Sequence, residues 1–442
     1  MNTPIYDFLK KYADSNTLRC HMPAHKGKSI ISELSLMYAF DITEISGADS
    51  LFEANGIIQQ SEKNMSELYG TSRTVYSTGG STLCIQTMLY IMKSENRKIF
   101  AVRNVHRAFM NSVALLDLDV EWIMPEYSDG ILSGNINLND VEQALKHSEK
   151  LSALYVTSPD YTGKTADISE LARICHKYNA RLIVDNAHGA HLKFMPEDIH
   201  PITLGADMCC DSAHKMLPAL TGASMLHTSV PEYVSLLKQA MNMFGSTSPS
   251  YLIMMSLDLC NKYISEKIIS DIKNNLICLH NFRQRFSDKL LFADGEPFHI
   301  TIRASESGFN GIELAEHLRQ NGVECEYSDN SLVILLMSPI CIDTDYERLS
   351  EALEKSIAKC KKVSPYSMDF KIKLPERVTS VHDAVFSESE TIPVKDSEGR
   401  ICASVKVPCP PAVPIVASGE RIDRNSINIF LNYGISEVIV IK

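Results

Sequence analysis

The sequence predicts an α/β protein whose core is a mostly parallel β-sheet covered by helices. Between about Val75 and Val230, short apolar runs rich in β-branched residues alternate with amphipathic helical segments. Strand, helix and strand at this spacing form the pattern of a parallel sheet with helices on both faces. Functional side chains are therefore expected on the loops that follow the carboxyl ends of the strands.

Each element of this sheet region follows from its local pattern. Four apolar runs of strand length predict strands at Lys98–Val102, Leu154–Thr157, Leu182–Asp185 and Ala223–Thr228. Between two of these strands, the segment Asp167–Asn179 repeats its apolar residues at helical spacing, which predicts a covering helix.

The sequence changes character after about Lys289. Here we expect a smaller α/β unit with strands at 298–302 and 332–336, a helix at 311–321 and another helix near 345–361. Beyond Ser364 the chain is poor in helical patterns and rich in proline, with prolines at 408, 410, 411 and 414. The C-terminal region is therefore predicted to be a separate part of the fold.

Length and composition predict a folded protein of about two or three domains. The chain has 442 residues, of which 45% are hydrophobic and 22% charged, so it can bury a sizeable core. Lys and Arg together number 43 and Asp and Glu 54, which gives a net charge of −11. An acidic chain without a long basic run binds nucleic acid and anionic membranes poorly, so neither is expected as a partner.

Cysteine usage and the amino-terminal sequence predict a cytoplasmic protein. The twelve cysteines include no CxxC motif, and Cys209-Cys210 is the only close pair. Scattered cysteines in a chain without a secretion signal are usually reduced and buried. The first residues lack the charged-then-apolar pattern of a signal peptide, and the most apolar stretch, Ser331–Ile342, is too short to span a membrane.

The candidate nucleophile is Lys215. It follows Ser212 and His214 directly after an apolar, strand-like run. A lysine held at a strand end and partly desolvated can form an imine with an aldehyde cofactor, and the preceding Ser and His can donate hydrogen bonds to a phosphate. Because an isolated lysine is usually a solvated surface residue, this interpretation depends on residues upstream.

Two of these upstream residues are Asp185 and His188. Asp185 ends the apolar run Leu182–Val184, thirty residues before Lys215. A carboxylate there can pair with a cationic ring nitrogen, and in pyridoxal phosphate that proton makes the ring an electron sink. His188 could reach the phenolic oxygen of the cofactor or the carboxylate of a substrate. Asp185 alone could equally be a helix cap or a metal ligand, and His188 alone is more often a satisfied loop or core residue.

A third feature is the sequence Gly79-Gly80-Ser81-Thr82, which opens an apolar helix. The exposed N–H groups and positive end of such a helix bind anions, and the small residues Gly80, Ser81 and Thr82 let a phosphate approach. A simple helix cap is the commoner meaning of this motif in isolation.

His106 is the fourth feature, and it lies just after the predicted strand Lys98–Val102. Its imidazole could stack on a pyridine ring, although a lone histidine is more often a satisfied loop residue. The four features occur along the chain in the order phosphate loop, stacking histidine, strand-end aspartate and imine lysine. This set of groups fits pyridoxal 5′-phosphate from its phosphate to its aldehyde.

The sequence also resembles the Orn/Lys/Arg decarboxylase family over nearly its whole length. The segments that carry the resemblance are HMPAHKGK, DITEISGADSLFEANGII, GGST, RNVHR, DNAHGAH, SAHKMLPALTGASMLH, STSPSY and the tail VPCPPAVPIVASGERI. The resemblance implies a pyridoxal-phosphate enzyme of fold type I, with a seven-stranded-type, mostly parallel sheet, a smaller C-terminal α/β domain and a proline-rich C-terminal region. It implies these domains: an N-terminal segment (1–45), a cofactor-binding major domain (46–290), a small α/β domain (291–364) and a C-terminal decarboxylase-type domain (365–442).

The resemblance also implies roles for individual residues. Lys215 would form the imine with the cofactor, Asp185 would pair with its ring nitrogen and His106 would stack on the ring, with His188 as a further catalytic residue. Ser248, in STSPSY, matches a segment that reaches the phosphate of the neighbouring subunit, which implies a homodimer with shared active sites. No metal ligand is predicted, and the predicted cofactor-binding residues are Gly80, Ser81, Thr82, His106, Asp185, His188, Ser212, His214, Lys215 and Ser248.

The expected function is decarboxylation of arginine, lysine or ornithine to the amine and CO2. Without room for a large amino-terminal wing domain, the chain is similar to the compact biosynthetic branch of the family. It departs from the family at four places: Asn-Gly-Ser-Thr becomes Gly79–Thr82, Asp-Glu-Ala-His becomes Asp185–His188, TPGHK becomes Met22–Lys26 and YPPG becomes Cys409–Ala412.

Two alternatives remain open at this point. An aminotransferase or α-oxoamine synthase would keep the cofactor, and Arg303 could then clamp a substrate carboxylate. A catalytically silent paralogue would explain the altered positions Ala24, Asn186 and Ala412. The identity of the acidic residue that binds the substrate side chain also stays open. The candidates are Asp49, Glu53, Asp160 and Glu326.

Overall fold

The structure is a computed structural model, and it describes residues 1–365, 373–404 and 413–442. None of the helices in these ranges is both long and apolar enough to cross a membrane. The helices are α1 (Pro4–Ala13), α2 (Ser35–Phe40), α3 (Ile57–Tyr69), α4 (Gly80–Ser94), α5 (Arg107–Leu116), α6 (Leu138–Lys146), α7 (Ile168–Lys177), α8 (Ala213–Met216), α9 (Leu236–Asn242), α10 (Tyr251–Glu266), α11 (Ile268–Phe286), α12 (Gly311–Gln320), α13 (Asp343–Lys359), α14 (Val381–Phe386) and α15 (Arg424–Asn432).

The strands are short, with two to six residues each. They are β1 (Arg73–Ser77), β2 (Lys98–Val102), β3 (Val120–Ile123), β4 (Glu126–Tyr127), β5 (Gly134–Asn135), β6 (Ser152–Thr157), β7 (Arg181–Asp185), β8 (Met208–Asp211), β9 (Ser224–Thr228), β10 (His299–Arg303), β11 (Tyr327–Ser328), β12 (Leu332–Leu336), β13 (Ser389–Pro393), β14 (Cys402–Ser404) and β15 (Glu437–Ile441).

Seven of these strands form one mixed sheet, in the order β1, β9, β8, β7, β6, β2, β3. Strand β2 runs parallel to β3 and β6, and β7 runs parallel to β8. Strand β9 is antiparallel to both of its neighbours, β1 and β8. The predicted fold class, a mostly parallel seven-stranded sheet, is therefore confirmed. Three of the four predicted strands lie within these elements, and the fourth, Ala223–Thr228, differs from β9 only in beginning one residue earlier.

The chain divides into two compact units, residues 1–95 with 181–272 and residues 96–180 with 273–442. The first unit contains β1, β9, β8 and β7, with α3, α4 and α10 among its helices. In this unit α10 holds the first helix of the chain, because the Asp258 carboxylate accepts the N–H groups of Ile5 and Tyr6 at 2.9 Å each. The boundaries of the four domains inferred from the sequence stay a prediction.

The second unit contains β6, β2 and β3 together with three small antiparallel sheets, one of which is the two-stranded sheet β4-β5. The sheet β10-β12-β11, with α12 and α13, contains the strands and helices predicted after Lys289. Helix α13 begins two residues earlier than predicted, at Asp343, because the Asp345 carboxylate accepts the Ile342 N–H at 3.0 Å and caps it. It ends at Lys359, since Cys360 has an extended backbone (φ −63°, ψ 141°).

The C-terminal region forms the small sheet β13-β15-β14 and carries α14 and α15. These two helices have only six and nine residues. The described part of the C-terminal region is therefore poor in helix, as predicted, although it is not without helices. Of the predicted proline-rich signature, Pro414 is described, whereas Pro408 and Cys409–Ala412 lie outside the described residues.

A buried ion pair joins the C-terminal region to the end of β2 within the second unit. The Arg103 guanidinium donates to both carboxylate oxygens of Glu420, at 2.8 and 2.6 Å, and each side chain is only 2% exposed. Glu420 also accepts the Ala417 N–H at 2.7 Å, and the guanidinium lies 4.6 Å from the centre of the Trp122 ring. Both charges therefore have partners, as buried charges require.

We predict that Glu420→Ala lowers the free energy of unfolding by about 3–5 kcal/mol, because it leaves the Arg103 charge buried without its carboxylate. Urea denaturation followed by circular dichroism measures the loss. The matched control is Glu324→Ala, which removes a carboxylate from the exposed Arg319 and should leave the unfolding midpoint unchanged. Equal effects of the two variants would contradict the importance assigned to the buried pair.

Candidate active site

Lys215 lies on a single helical turn, α8, that follows the end of β8. Its amino group, Nζ, is 2.8 Å from Nε2 of His188, and its backbone N–H donates to the Ser212 carbonyl at 3.1 Å. His188 is buried, with 6% of its surface exposed. The structure thus brings together two of the residues that the sequence predicted as catalytic.

Asp185 is the last residue of β7, and it pairs in register with Cys210 on β8. Its side chain is 3% exposed, and Oδ1 accepts the Ala187 N–H at 3.2 Å and faces the Cys210 thiol at 3.6 Å. Because β7 and β8 are parallel neighbours, their carboxyl ends lie at one edge of the sheet. That edge carries Asp185 and His188 from one strand and Ser212 to Lys215 from the other.

The predicted phosphate loop connects β1 to α4, and it is held from two sides. Gly80 has a left-handed backbone (φ +68°), its N–H donates to the Gly222 carbonyl at 2.9 Å, and its own carbonyl accepts the Ser77 hydroxyl at 3.0 Å. A Cβ added at Gly80 would meet no atom of the described residues within 4 Å. Ser81 and Thr82 follow in the first turn of α4, as predicted.

Ser212 and His214 differ in how their polar atoms are satisfied. Ser212 is 1% exposed, and its hydroxyl has no hydrogen-bond partner within the described part of the chain. His214 Nδ1 lies 2.9 Å from the Ala223 carbonyl. Burial lowers the pKa of His214, although the Ala223 carbonyl opposes this, and the nearby charge of Lys215 lowers it further.

The two remaining predicted residues stand on separate elements. His106, in the second unit, caps α5, where its Nδ1 accepts the Ala108 N–H at 3.1 Å. Ser248 is exposed on the loop that precedes α10, and its backbone N–H donates to the Ser246 hydroxyl at 3.2 Å. The roles given to both residues stay predictions.

Sequence comparison decides the family. The chain matches the family model "Orn/Lys/Arg decarboxylase, major domain" over residues 3–302 and the corresponding C-terminal domain over residues 368–434. The chain belongs to the Orn/Lys/Arg decarboxylase family. The recognition made from the sequence motifs, and with it the expectation of an enzyme of this decarboxylase class, is confirmed.

Individual relatives of this decarboxylase-family chain agree with the assignment. It is 28% identical to an arginine decarboxylase of Bacillus subtilis, over 97% of this chain and 93% of that one. It is 26% identical to an arginine decarboxylase of Bacillus anthracis, over 96% and 92%. The crystal structure of a lysine decarboxylase from Francisella novicida superposes with a TM-score of 0.80 at 17% identity, covering 99% of this chain and 79% of that one.

One group of residues beside the active site was missed in the sequence. Asp211, at the end of β8, is fully buried, and its Oδ1 accepts the Asn186 Nδ2 at 2.7 Å. Its Oδ2 lies 3.1 Å from His200 Nε2 and 3.3 Å from His227 Nε2. Burial alone would raise the pKa of Asp211, but the charges and hydrogen bonds of the two histidines outweigh it and lower the pKa. The available signal was an aspartate at the end of an apolar strand.

The candidate acidic residues have different surroundings. Asp49 binds backbone N–H groups at the start of α3, including those of Gly56 at 2.8 Å and Ile58 at 2.9 Å. Burial would raise the pKa of Asp49, but these hydrogen bonds outweigh it and lower the pKa. Asp160 accepts the Thr162 hydroxyl at 2.7 Å, and burial raises its pKa. These two carboxylates are therefore already bound within the chain.

The other candidates are more accessible. Glu53 is exposed, and Glu326 accepts the Tyr161 hydroxyl at 2.8 Å. Arg303, the residue that an aminotransferase would use as a carboxylate clamp, is bound to Asp129, at 3.2 Å from Nε and 3.3 Å from Nη2. The arginine that this alternative needs thus has a carboxylate partner within the protein.

We predict that Gly189→Ala destabilises the protein by about 1–3 kcal/mol, the usual range for overpacking. A Cβ there would lie 1.9 Å from Asn186 Oδ1, and the amide cannot turn away without losing its hydrogen bond to Asp211. Thermal unfolding of the single variant and of Gly189→Ala in an Asn186→Ala background measures the effect. An equal cost in both backgrounds would show that the amide is not the obstacle.

Proposed function

We propose that this protein catalyses the pyridoxal-phosphate-dependent decarboxylation of a cationic amino acid, arginine, lysine or ornithine, to the amine and CO2. The observation that carries the proposal is the 2.8 Å contact between Lys215 Nζ and His188 Nε2. His188 lies three residues after Asp185, the carboxylate at the end of β7. An amine, an imidazole and a carboxylate at one sheet edge are the groups that this chemistry needs from the protein.

The residues at this edge fit the cofactor's phosphate. The Ser212 hydroxyl is buried and has no hydrogen-bond partner among the described residues, so a bound phosphate oxygen would satisfy it. The loop at Gly80 presents the start of a fifteen-residue helix and leaves open the space that a Cβ would take. A helix start and a free hydroxyl suit a dianion. Gly80, Ser81, Thr82, Ser212 and His214 are proposed to hold it.

When bound, pyridoxal phosphate supplies an aldehyde that links covalently to amines and a ring that, once protonated, accepts the electron pair released with CO2. Asp185 is proposed to hold the proton on the ring nitrogen, since a buried carboxylate stabilises an adjacent cation. His106 is proposed to stack on the ring, as in the family. Lys215 is proposed to carry the cofactor before the substrate amine replaces it.

The protein must also return a proton to the substrate. When the bond between Cα and the carboxylate breaks, its electron pair stays behind, and a proton has to reach Cα before the amine leaves. Lys215 and His188 share a hydrogen-bond contact, so either can deliver the proton while the other replaces it. We assign this step to the pair.

The substrate class follows from the relatives. Two curated relatives that match this chain almost end to end are named arginine decarboxylases, whereas the superposed Francisella novicida structure is a lysine decarboxylase. All three proposed substrates have a cationic side chain, which an acidic group of the protein would recognise. Assays of the amine product with arginine, lysine and ornithine under one set of conditions decide among them.

We predict that Lys215→Ala abolishes CO2 release while the protein stays folded, because no amine remains to link the cofactor. In the wild type, added pyridoxal phosphate should give a visible absorbance band that borohydride removes. The variant should show no band that borohydride fixes to the protein. Trapped CO2, the absorbance spectrum and circular dichroism provide the measurements, and turnover at a comparable rate would refute the assignment of Lys215.

Asp185→Asn is the matched variant for the ring-nitrogen role. It preserves size and one hydrogen-bond acceptor but removes the charge. Cofactor should still bind, and turnover should fall by about two or more orders of magnitude, each of which is worth about 1.4 kcal/mol of barrier. Formation of a keto acid in place of CO2 by the wild type would instead favour an aminotransferase.

We also propose a homodimer with shared active sites. The loop at Ser248 is exposed and rich in hydroxyl groups, so it is accessible to a partner subunit. In the family this segment contacts the neighbouring subunit's phosphate. A shared phosphate site would combine its hydroxyls with the Ser212 hydroxyl across the two chains.

We predict that mixing an inactive Lys215→Ala chain with a chain inactivated at Ser248 restores activity. Hybrid dimers would contain one site with both defects and one with neither, so free exchange should restore up to about a quarter of wild-type activity. Mixing two Lys215→Ala preparations is the control. The absence of recovery after proven subunit exchange, or a fully active monomer, would refute the shared site.

A further inference from the structure

We infer that Asp211 is a positioning residue: through Asn186, His200 and His227 its buried carboxylate fixes the two strand ends that carry Asp185 and Lys215. This inference rests on the proposed function, since it concerns the placement of the groups proposed to react. The inference assigns a role to residues that are not proposed to touch the substrate or the cofactor.

The carboxylate lies where three separate segments meet. Asn186 Nδ2, just after β7, donates to Oδ1 at 2.7 Å. His200, in the connection between β7 and β8, and His227, on β9, reach Oδ2 at 3.1 and 3.3 Å. None of the four side chains is accessible to solvent. The position of the Asp211 carboxylate therefore depends on all three segments, and the positions of the three segments depend on the carboxylate.

A second layer holds the two imidazoles in place. The Thr74 hydroxyl, on β1, lies 2.8 Å from His227 Nδ1, so the opposite nitrogen points at Asp211. The Tyr69 ring stacks on His227 at 4.6 Å and meets His200 edge-on at 5.1 Å, and its hydroxyl donates to the Ala190 carbonyl at 2.7 Å. These contacts leave the imidazoles little freedom to turn away from the carboxylate.

The connection from Asp211 to the reacting groups is short. Asn186 is the next residue after Asp185, and its own N–H donates to the Cys210 carbonyl at 3.0 Å. Asp211 directly precedes Ser212 and is four residues before Lys215. A shift of the Asn186 side chain would therefore reach Asp185 through one peptide unit. Displacements of about 1 Å at such groups can lower a rate a hundredfold.

The pairing also explains a departure from the family pattern. The family usually has a glutamate at position 186, where this chain has Asn186. Beside Asp211 a second carboxylate would bring two buried negative charges into contact, and one of them would have to take up a proton. An amide at 186 is the residue type that can donate to the carboxylate at 211. The amide at 186 is thus matched by the carboxylate beside it in this chain.

The experiment exchanges the two functional groups at constant size. Asn186→Asp places two carboxylates in contact, Asp211→Asn removes the charge that the histidines face, and the double variant returns one carboxylate to the pair. Each single variant should lower kcat by about tenfold or more, with KM changed by less than about threefold, because the reacting groups are misplaced rather than lost. The double variant should recover most of the loss.

Two further readouts separate positioning from general destabilisation. The absorbance band of bound pyridoxal phosphate should change in both single variants and return toward wild type in the double variant. Asp288→Asn, which removes an exposed carboxylate elsewhere, is the control and should change neither the band nor kcat. Urea denaturation of the cofactor-free proteins should show a coupling between positions 186 and 211, since residues in contact are not additive.

The outcomes distinguish this inference from the proposed function. If the wild type releases CO2 and the single variants match it, or the double variant is no better than the singles, the positioning role is wrong and the proposed function stands. If the wild type neither binds the cofactor nor releases CO2, the proposed function fails, and with it the role in that reaction. His200, Cys209 and Asp211 offer ligand atoms within 4.8 Å of one another, so stoichiometric metal in the purified protein would also overturn a hydrogen-bonded role.

Discussion

The burial of one charge, the Asp211 carboxylate, constrains the centre of the first unit. A carboxylate without solvent access is stable only if donors surround it, because removal from water costs several kcal/mol per ion. Here hydrogen bonds come from Asn186, after β7, and from His200, in the connection to β8. His227 on β9 faces the carboxylate at 3.3 Å, with Thr74 on β1 behind it. Four strands of the sheet therefore depend on a single side chain.

Strand direction explains why the site residues meet. Because β9 is antiparallel to both β1 and β8, the carboxyl ends of β1, β8 and β7 point the same way, and the amino end of β9 lies beside them. The pairing of Ser77 with Ser224 places the phosphate loop next to Gly222, whose carbonyl accepts the Gly80 N–H. One antiparallel strand thus brings the predicted anion site and the Lys215 turn to a common edge.

A second buried charge pair plays a similar part in the second unit. Arg103 follows β2, and Glu420 belongs to the C-terminal motif that ends in GERI, yet the two side chains are bonded at 2.6 and 2.8 Å. The residues between them include the small sheet with α12 and α13. A bidentate pair with almost no solvent access fixes both distance and orientation, so the C-terminal region is held to the end of β2 by geometry as well as by apolar packing.

The sequence by itself indicated four strands of the seven-stranded sheet, the family and a candidate site whose residue roles stay predictions. Apolar β-branched runs form strands because their side chains fit a buried sheet, and motifs such as SAHK and DNAHGAH keep Asp185 and Lys215 recognisable. Only the tertiary structure decided the direction of β9, the binding of Asp49 and Asp160 within the chain, and the cluster at Asp211. These depend on contacts between residues far apart in sequence, and an aspartate in an apolar strand has no local pattern that indicates its partners. The charge of Asp211 is balanced only when the folded sheet brings His200 and His227 to its carboxylate.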